Sequence, residues 1–103
     1  MTEDTFEKEV IIGRKPSVIV FGAEWSGNSE MMDSMIDRVS EEFTSDVKFY
    51  KVDLEKQPEI SKFFGIYSVP TLVMLKDGEV VEFIKGFVSA KKVREKVKEI
   101  YLI

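Results

Sequence analysis

The pattern of apolar and polar residues divides the chain into short strands and helices. The continuous β-branched and aromatic run Ser17 to Gly22 is typical of a strand that is buried on both faces. From Ser29 to Phe43 the apolar positions recur three and four residues apart, which predicts an amphipathic helix. A looser alternation predicts a strand from Val47 to Asp53, and the stretch Pro58 to Phe64 predicts a short helix that Gly65 ends.

The C-terminal part of the pattern predicts a hairpin followed by a helix. Strands from Thr71 to Lys76 and from Glu79 to Lys85 flank Asp77-Gly78, a pair that tolerates the positive φ angles of a two-residue turn. Ser89 is then expected to cap a helix, because the residues after it place one apolar stripe at helical spacing, namely Val93, Val97, Ile100 and Tyr101.

A further helix is predicted near the N-terminus. Asp4, with Glu7 three residues later, has the spacing of a capping box, and Gly13 is a suitable end for the helix. The full order is therefore α-β-α-β-α-β-β-α. The first two strands are expected to be parallel and the last two antiparallel, which gives an α/β fold with a four-stranded mixed sheet and helices on both faces. Residues 1–103 are expected to form one domain.

Composition narrows the possible chemistry. The chain contains no cysteine, which excludes disulfides, thiolate nucleophiles and metal–thiolate sites, and no histidine, which removes the commonest general base. Its net charge of −4 argues against nucleic-acid and anionic-membrane partners. The acidic segment Met1 to Glu9 does not resemble a signal peptide, and the longest apolar run is Val18 to Phe21, so a cytoplasmic location is expected. No cofactor or metal site is predicted.

Three separate motifs resemble the thioredoxin family. Phe21-Gly22-Ala23-Glu24-Trp25-Ser26-Gly27-Asn28-Ser29 resembles the family's strand-to-helix junction, where a tryptophan precedes Cys-Gly-Pro-Cys. Lys62-Phe63-Phe64-Gly65-Ile66-Tyr67-Ser68-Val69-Pro70-Thr71-Leu72 resembles the loop that ends in a cis-proline. Lys76-Asp77-Gly78-Glu79 and Gly86 resemble its hairpin turn and the glycine loop after it. The resemblance implies a thioredoxin fold, although the family's first strand is missing from the predicted elements, and it implies a cis Val69–Pro70 bond.

In that family the two cysteines of the junction exchange disulfides, the activity of a protein disulfide oxidoreductase that serves cell redox homeostasis. Here Ser26 and Ser29 occupy both positions, and an alcohol forms no disulfide, so we expect no thiol–disulfide activity from this chain. Ser26 is expected to cap the helix. The other two roles open to it are less favoured: a nucleophile would need a base, and an anion site at the helix start would face Glu24 and Glu30.

Two interpretations of the serines remain open. In the first, redox activity was lost naturally and the chain binds an extended peptide or protein in the former substrate groove. The second is an oxidoreductase that is represented as a Cys-to-Ser double mutant. Val20 stands where the family usually keeps a buried aspartate. It favours natural loss, because an isolated buried carboxylate is costly once the thiol chemistry is gone. Asn28 and Ser34 also replace prolines of the family. The resemblance assigns the groove to a set of residues near these serines: Trp25, Gly27, Asn28, Tyr67, Ser68, Val69, Pro70, Gly86 and Phe87. The sequence does not indicate an oligomeric state.

Overall fold

The computed structural model of the protein describes residues 13–43 and 46–103. The predicted N-terminal helix, from Asp4 to the residue before Gly13, lies outside the described residues. The predicted absence of the family's first strand likewise concerns a part of the chain that is mostly outside them. No helix among the described residues is long and apolar enough to cross a membrane.

Four strands form one mixed sheet within the described part of the chain. They are β1 (Ser17–Gly22), β2 (Lys48–Asp53), β3 (Thr71–Lys76) and β4 (Glu79–Lys85). Their order across the sheet is β2-β1-β3-β4, with β1 parallel to β2 and antiparallel to β3, and with β3 antiparallel to β4. The predicted α/β class, mixed sheet and strand directions are confirmed. The second strand begins one residue later than predicted, at Lys48.

Three helices connect or follow these strands. The first, α1 (Gly27–Ser40), continues into a short 3₁₀ turn over Glu41–Phe43 and begins two residues earlier than the apolar spacing predicts. The second, α2 (Pro58–Phe64), ends as predicted at Gly65, whose φ of 70° suits glycine. The third, α3 (Ala90–Tyr101), is capped as predicted by Ser89, whose hydroxyl accepts a hydrogen bond from the Lys92 N–H.

The central strand β1 explains why the sheet has a core on each face. All six of its residues are buried, and the four apolar residues from Val18 to Phe21 alternate between two apolar clusters. Val18 and Val20 face the cluster that contains residues of α1 and α3, among them Met32, Ile36 and Val93. The opposite cluster consists of Ile19, Phe21, Val52, Ile60, Ile66, Val73 and Leu75, with Ile60 contributed by α2. Helices therefore cover both faces of the sheet, as the uninterrupted apolar run predicts.

The turn between β3 and β4 has the predicted two-residue form. Asp77 and Gly78 both have positive φ angles, of 55° and 81°, which match the twist of an antiparallel pair. The pairing then shifts register between Met74 and Leu75, and beyond this irregularity Thr71 lies opposite Lys85. The hairpin thus brings the end of β4 beside the start of β3.

Tyr101 at the end of α3 fastens this helix to two strands. Its hydroxyl lies 2.9 Å from the carbonyl oxygens of both Ser17 and Leu75. Burial raises the pKa of the Tyr101 hydroxyl well above its ordinary value, so the group stays a neutral donor. One side chain therefore links the start of β1, the end of β3 and the C-terminal helix.

We expect Tyr101→Phe to lower the free energy of unfolding by about 1–2 kcal/mol, because it removes the phenolic donor that the buried carbonyl oxygens of Ser17 and Leu75 share. Urea denaturation measures the change. Tyr67→Phe is the matched control, since Tyr67 is 85% exposed and its hydroxyl has no hydrogen bond among the described residues. Equal stability of Tyr101→Phe and the unsubstituted protein would contradict the assigned role.

Candidate functional site

The strand register brings three segments of the predicted site to one end of the sheet. Phe21 of β1 pairs with Thr71 of β3, and Thr71 pairs with Lys85 of β4. The segment that follows β1, the one that precedes β3 and the one that follows β4 therefore lie side by side. A hydrogen bond of 2.8 Å from the Gly86 N–H to the Pro70 carbonyl joins the second and third segments directly. The Val69–Pro70 peptide bond is cis.

Ser26 acts as the N-cap of α1. Its φ and ψ of −102° and 113° are extended, and its hydroxyl oxygen accepts a hydrogen bond from the Ser29 N–H at 3.2 Å. The Ser26 N–H in turn donates to the Ala23 carbonyl at 3.1 Å, which closes the turn between β1 and α1. Gly27 and Asn28 form the exposed first turn of the helix. Ser26 thus does the structural work of a cap, and no described residue forms the hydrogen bond that would activate it as a nucleophile.

Ser29 lies beneath this turn in a different environment. It is 1% exposed, and its hydroxyl is a buried polar group without a hydrogen-bond partner in the described structure. The helix packs tightly against β1 here, since a Cβ atom placed on Gly22 would come within 3.1 Å of the Ser29 Cβ. Gly22 therefore allows this close approach. A buried hydroxyl without a partner destabilises a fold, so the hydroxyl of Ser29 does not contribute to stability.

Exposed aromatic side chains surround the cis bond. Trp25, Tyr67 and Phe87 are 67%, 85% and 47% exposed, and each belongs to a different one of the three segments. Ser68 is exposed, Val69 and Gly86 are half-buried, and Pro70 is buried. We call Trp25, Tyr67, Ser68, Val69 and Phe87 the binding surface, after the role that the sequence predicts for them. Four other predicted groove residues are not included: Gly27 and Asn28 lie in the first turn of α1, Pro70 is buried, and Gly86 has no side chain.

Main-chain groups are available on this surface. The Ser68 carbonyl accepts a hydrogen bond of 2.8 Å from the Thr71 hydroxyl, which fixes the loop before the cis bond. Neither the N–H nor the C=O of Val69 takes part in a hydrogen bond with any residue that the structure describes. An exposed peptide unit without an internal partner can pair with the main chain of another chain.

Two contacts that the sequence does not predict hold the Trp25 loop in place, and we call them the latch. The indole N–H of Trp25 donates to the Glu55 carboxylate, and the Lys56 amino group lies 2.7 Å from the Glu24 carboxylate. Asp53 shapes this second loop, because its carboxylate accepts hydrogen bonds from the backbone N–H groups of Glu55 and Lys56. The only local signal in the sequence is Asp53 at the start of a turn. A turn signal does not predict contacts between residues that are 30 and 32 positions apart.

A cleft with a volume of about 640 Å³ lies beside this latch. It carries charges of both signs, including Asp33 and Lys51. Burial raises the pKa of the Asp33 carboxyl, and the nearby Lys51 only partly offsets this effect. No cluster of metal-ligating side chains occurs among the described residues. The cleft therefore differs from the binding surface in that most of its lining residues carry a charge.

We expect Ser29→Ala to leave the free energy of unfolding unchanged or to raise it by about 1 kcal/mol, because it removes a buried hydroxyl that has no partner. Ser26→Ala is the matched variant, and it should lower the free energy by about 1 kcal/mol through loss of the cap. Urea denaturation of both variants checks the pair. A larger loss for Ser29→Ala than for Ser26→Ala would contradict these assignments.

Similarity to known proteins agrees with this architecture. Residues 1–99 match the family model described as Thioredoxin. The chain is 33% identical over 88 residues to "Thioredoxin 1" of Synechococcus elongatus, an alignment that covers 85% of this chain and 82% of the relative. It is 35% identical over 88 residues to a thioredoxin of Pyropia yezoensis, with the same coverage.

A third relative, from Rickettsia felis, is also a thioredoxin. It is 37% identical over 79 residues, which covers 77% of this chain and 75% of the relative. The matches extend over most of both sequences, as a shared fold requires, and they agree with the junction, loop and hairpin motifs described above. The chain belongs to the thioredoxin family.

Proposed function

We propose that this protein binds extended peptide or protein segments without redox chemistry, on the surface formed by Trp25, Tyr67, Ser68, Val69 and Phe87. The observation that carries the proposal is the exposure of three aromatic side chains around a loop whose Val69 peptide groups have no internal partner. Exposed clusters of large apolar side chains mark interaction sites in many proteins. An extended peptide would use both features at once.

Main-chain pairing would supply the part of the affinity that does not depend on the side chains of the peptide. A peptide that runs beside Ser68 and Val69 can exchange hydrogen bonds with Val69, in the manner of a strand added to an exposed edge. The hydrogen bond between Ser68 and Thr71 and the one between Gly86 and Pro70 support this loop from below. The loop is therefore held in place before a partner arrives, which reduces the entropy cost of binding.

The aromatic side chains would supply the preference for particular peptides. The hydrogen bond from Trp25 to Glu55 restrains the indole ring while most of its surface stays exposed. Glu24 beside it is already paired with Lys56, so its charge is largely balanced. Apolar side chains in the partner are therefore the natural match for the area between Trp25, Tyr67 and Phe87.

The absence of thiols sets the kind of binding. With Ser26 and Ser29 in place of the family's cysteines, no covalent disulfide can hold a partner, so binding would be reversible. An affinity in the micromolar range, about −8 kcal/mol, is typical of such a contact. The cytoplasmic location remains a prediction from the sequence.

Isothermal titration calorimetry tests the proposal directly. The probe is an eight-residue peptide of alternating valine and serine with blocked ends. It should bind the unsubstituted protein, and Trp25→Ala should weaken binding about tenfold because the exposed ring provides much of the contact area.

Val81→Ala is the control, since it removes an exposed apolar side chain on β4, outside the binding surface. It should bind the peptide like the unsubstituted protein. No detectable binding by the unsubstituted protein, or equal affinity of Trp25→Ala in a folded sample, would overturn the proposed function.

A further inference from the structure

A second, smaller cleft adjoins the binding surface between α1 and the loop that follows β4. It has a volume of about 360 Å³ and is lined by Glu30, Met31, Ser34, Met35, Arg38 and Phe87. The five helical residues lie on one face of α1, because the other four follow Glu30 by one, four, five and eight positions. We call this feature the Arg38 cleft.

The Arg38 cleft is continuous with the binding surface. Phe87 belongs to both, and its neighbour Gly86 donates the hydrogen bond that joins this loop to Pro70. A peptide that lies beside Val69 and crosses the Phe87 ring would therefore reach the cleft within a few residues. The cleft also has the right size, since a volume of this order can hold one branched apolar side chain.

The lining combines apolar walls with one cation, Arg38, and one anion, Glu30. Met31 and Phe87 are 58% and 47% exposed, whereas Met35 is buried at the base. Methionine adapts its shape to different apolar groups, which suits a contact that accepts more than one side chain. These three residues favour an apolar group at this place.

Arg38 stands out among the basic residues near α1 because it has no ion-pair partner among the described residues. Lys51 is paired with Asp37, and Arg94 of α3 is paired with Glu42 at the end of α1. Glu30 also lines the cleft, but it lies eight residues before Arg38, about 12 Å along the helix axis. Arg38 therefore offers an exposed guanidinium group that an incoming carboxylate can pair with.

We propose that the Arg38 cleft selects peptides in which an apolar residue is accompanied by an aspartate or glutamate two or three positions away. The apolar side chain enters between Met31 and Phe87, and the carboxylate pairs with Arg38. The spacing follows from the rise of about 3.3 Å per residue in an extended peptide and the distance from Met31 to Arg38 along the helix. This inference rests on the proposed function and adds the chemistry of the preferred partner.

Calorimetry with matched peptides tests the inference. The peptides share an apolar core like that of the valine–serine probe, and each carries glutamate or glutamine at one end, with both ends tested because the direction of binding is open. One glutamate peptide should bind about three- to tenfold more tightly than its glutamine counterpart at low salt. The ratio should fall in 0.5 M NaCl, because salt screens an exposed ion pair.

Variants locate the effect. Arg38→Gln should abolish the preference for glutamate, so that the glutamate and glutamine peptides bind this variant with equal affinity. Lys98→Gln, which removes an exposed charge in the last turn of α3, is the control and should keep the preference. Met31→Ala should weaken binding of both peptides, since it removes one apolar wall of the cleft.

The outcomes separate this inference from the proposed function. Binding of both peptides with equal affinity, or a preference that survives Arg38→Gln, overturns the Arg38 cleft and leaves the peptide surface intact. No binding of any peptide overturns both. Sedimentation that shows a dimer converted to a monomer by Met31→Ala would assign the cleft to a second copy of the chain and would also overturn the inference.

Discussion

The pairing of β1 with both β3 and β2 is the constraint on which the rest of the structure depends. Because β1 is buried on both faces, its register against β3 is fixed by packing: a slip of one residue would turn Ile19 and Phe21 from one apolar cluster into the other. That register places Phe21 beside Thr71, and the β3–β4 hairpin adds Lys85 to the same row. The three loops of the candidate site then converge without any direct bond between Trp25 and Tyr67.

The loop positions explain how a member of the thioredoxin family keeps its shape with serines at both cysteine positions. The start of α1 needs a side chain that accepts a hydrogen bond from the helix, and the Ser26 hydroxyl provides one. Position 29 needs only a small buried side chain that fits against Gly22. Val20 lies in the apolar cluster behind this turn, where an isolated carboxylate would be costly. The fold at the junction therefore depends on capping and close packing, and thiol chemistry contributes nothing to it.

Most of the fold could be predicted because its signals are local. The apolar run of β1, the Asp77-Gly78 turn, the Gly65 helix end and the Ser89 cap are each encoded within a few residues, and each is confirmed. The sequence predicts the start of α1 two residues too late, because the exposed first turn contains no apolar residues at helical spacing. The start of β2 differs from its prediction for another reason, since Val47 is buried like a strand residue but is not paired in the sheet.

The candidate site was only partly predictable. The motifs placed the loops correctly, because the resemblance carries their order and the strand register does the rest. The latch from Trp25 to Glu55 and the unpaired state of Arg38 depend on which charged side chains meet across the fold, and sequence spacing does not contain that information. The Arg38 cleft likewise requires the Phe87 loop to lie against α1. These features link the local chemistry of the surface to the whole tertiary structure.

In the proposed function, the three loops act together as one surface that binds a partner without thiol chemistry. Amide chemical-shift mapping of the ¹⁵N-labelled protein with the valine–serine peptide tests it most directly, because it reports the place of binding rather than its strength. The largest shifts should cluster at residues 25–29, 67–70 and 86–88. Largest shifts along the outer strand β2, from Lys48 to Asp53, would contradict it.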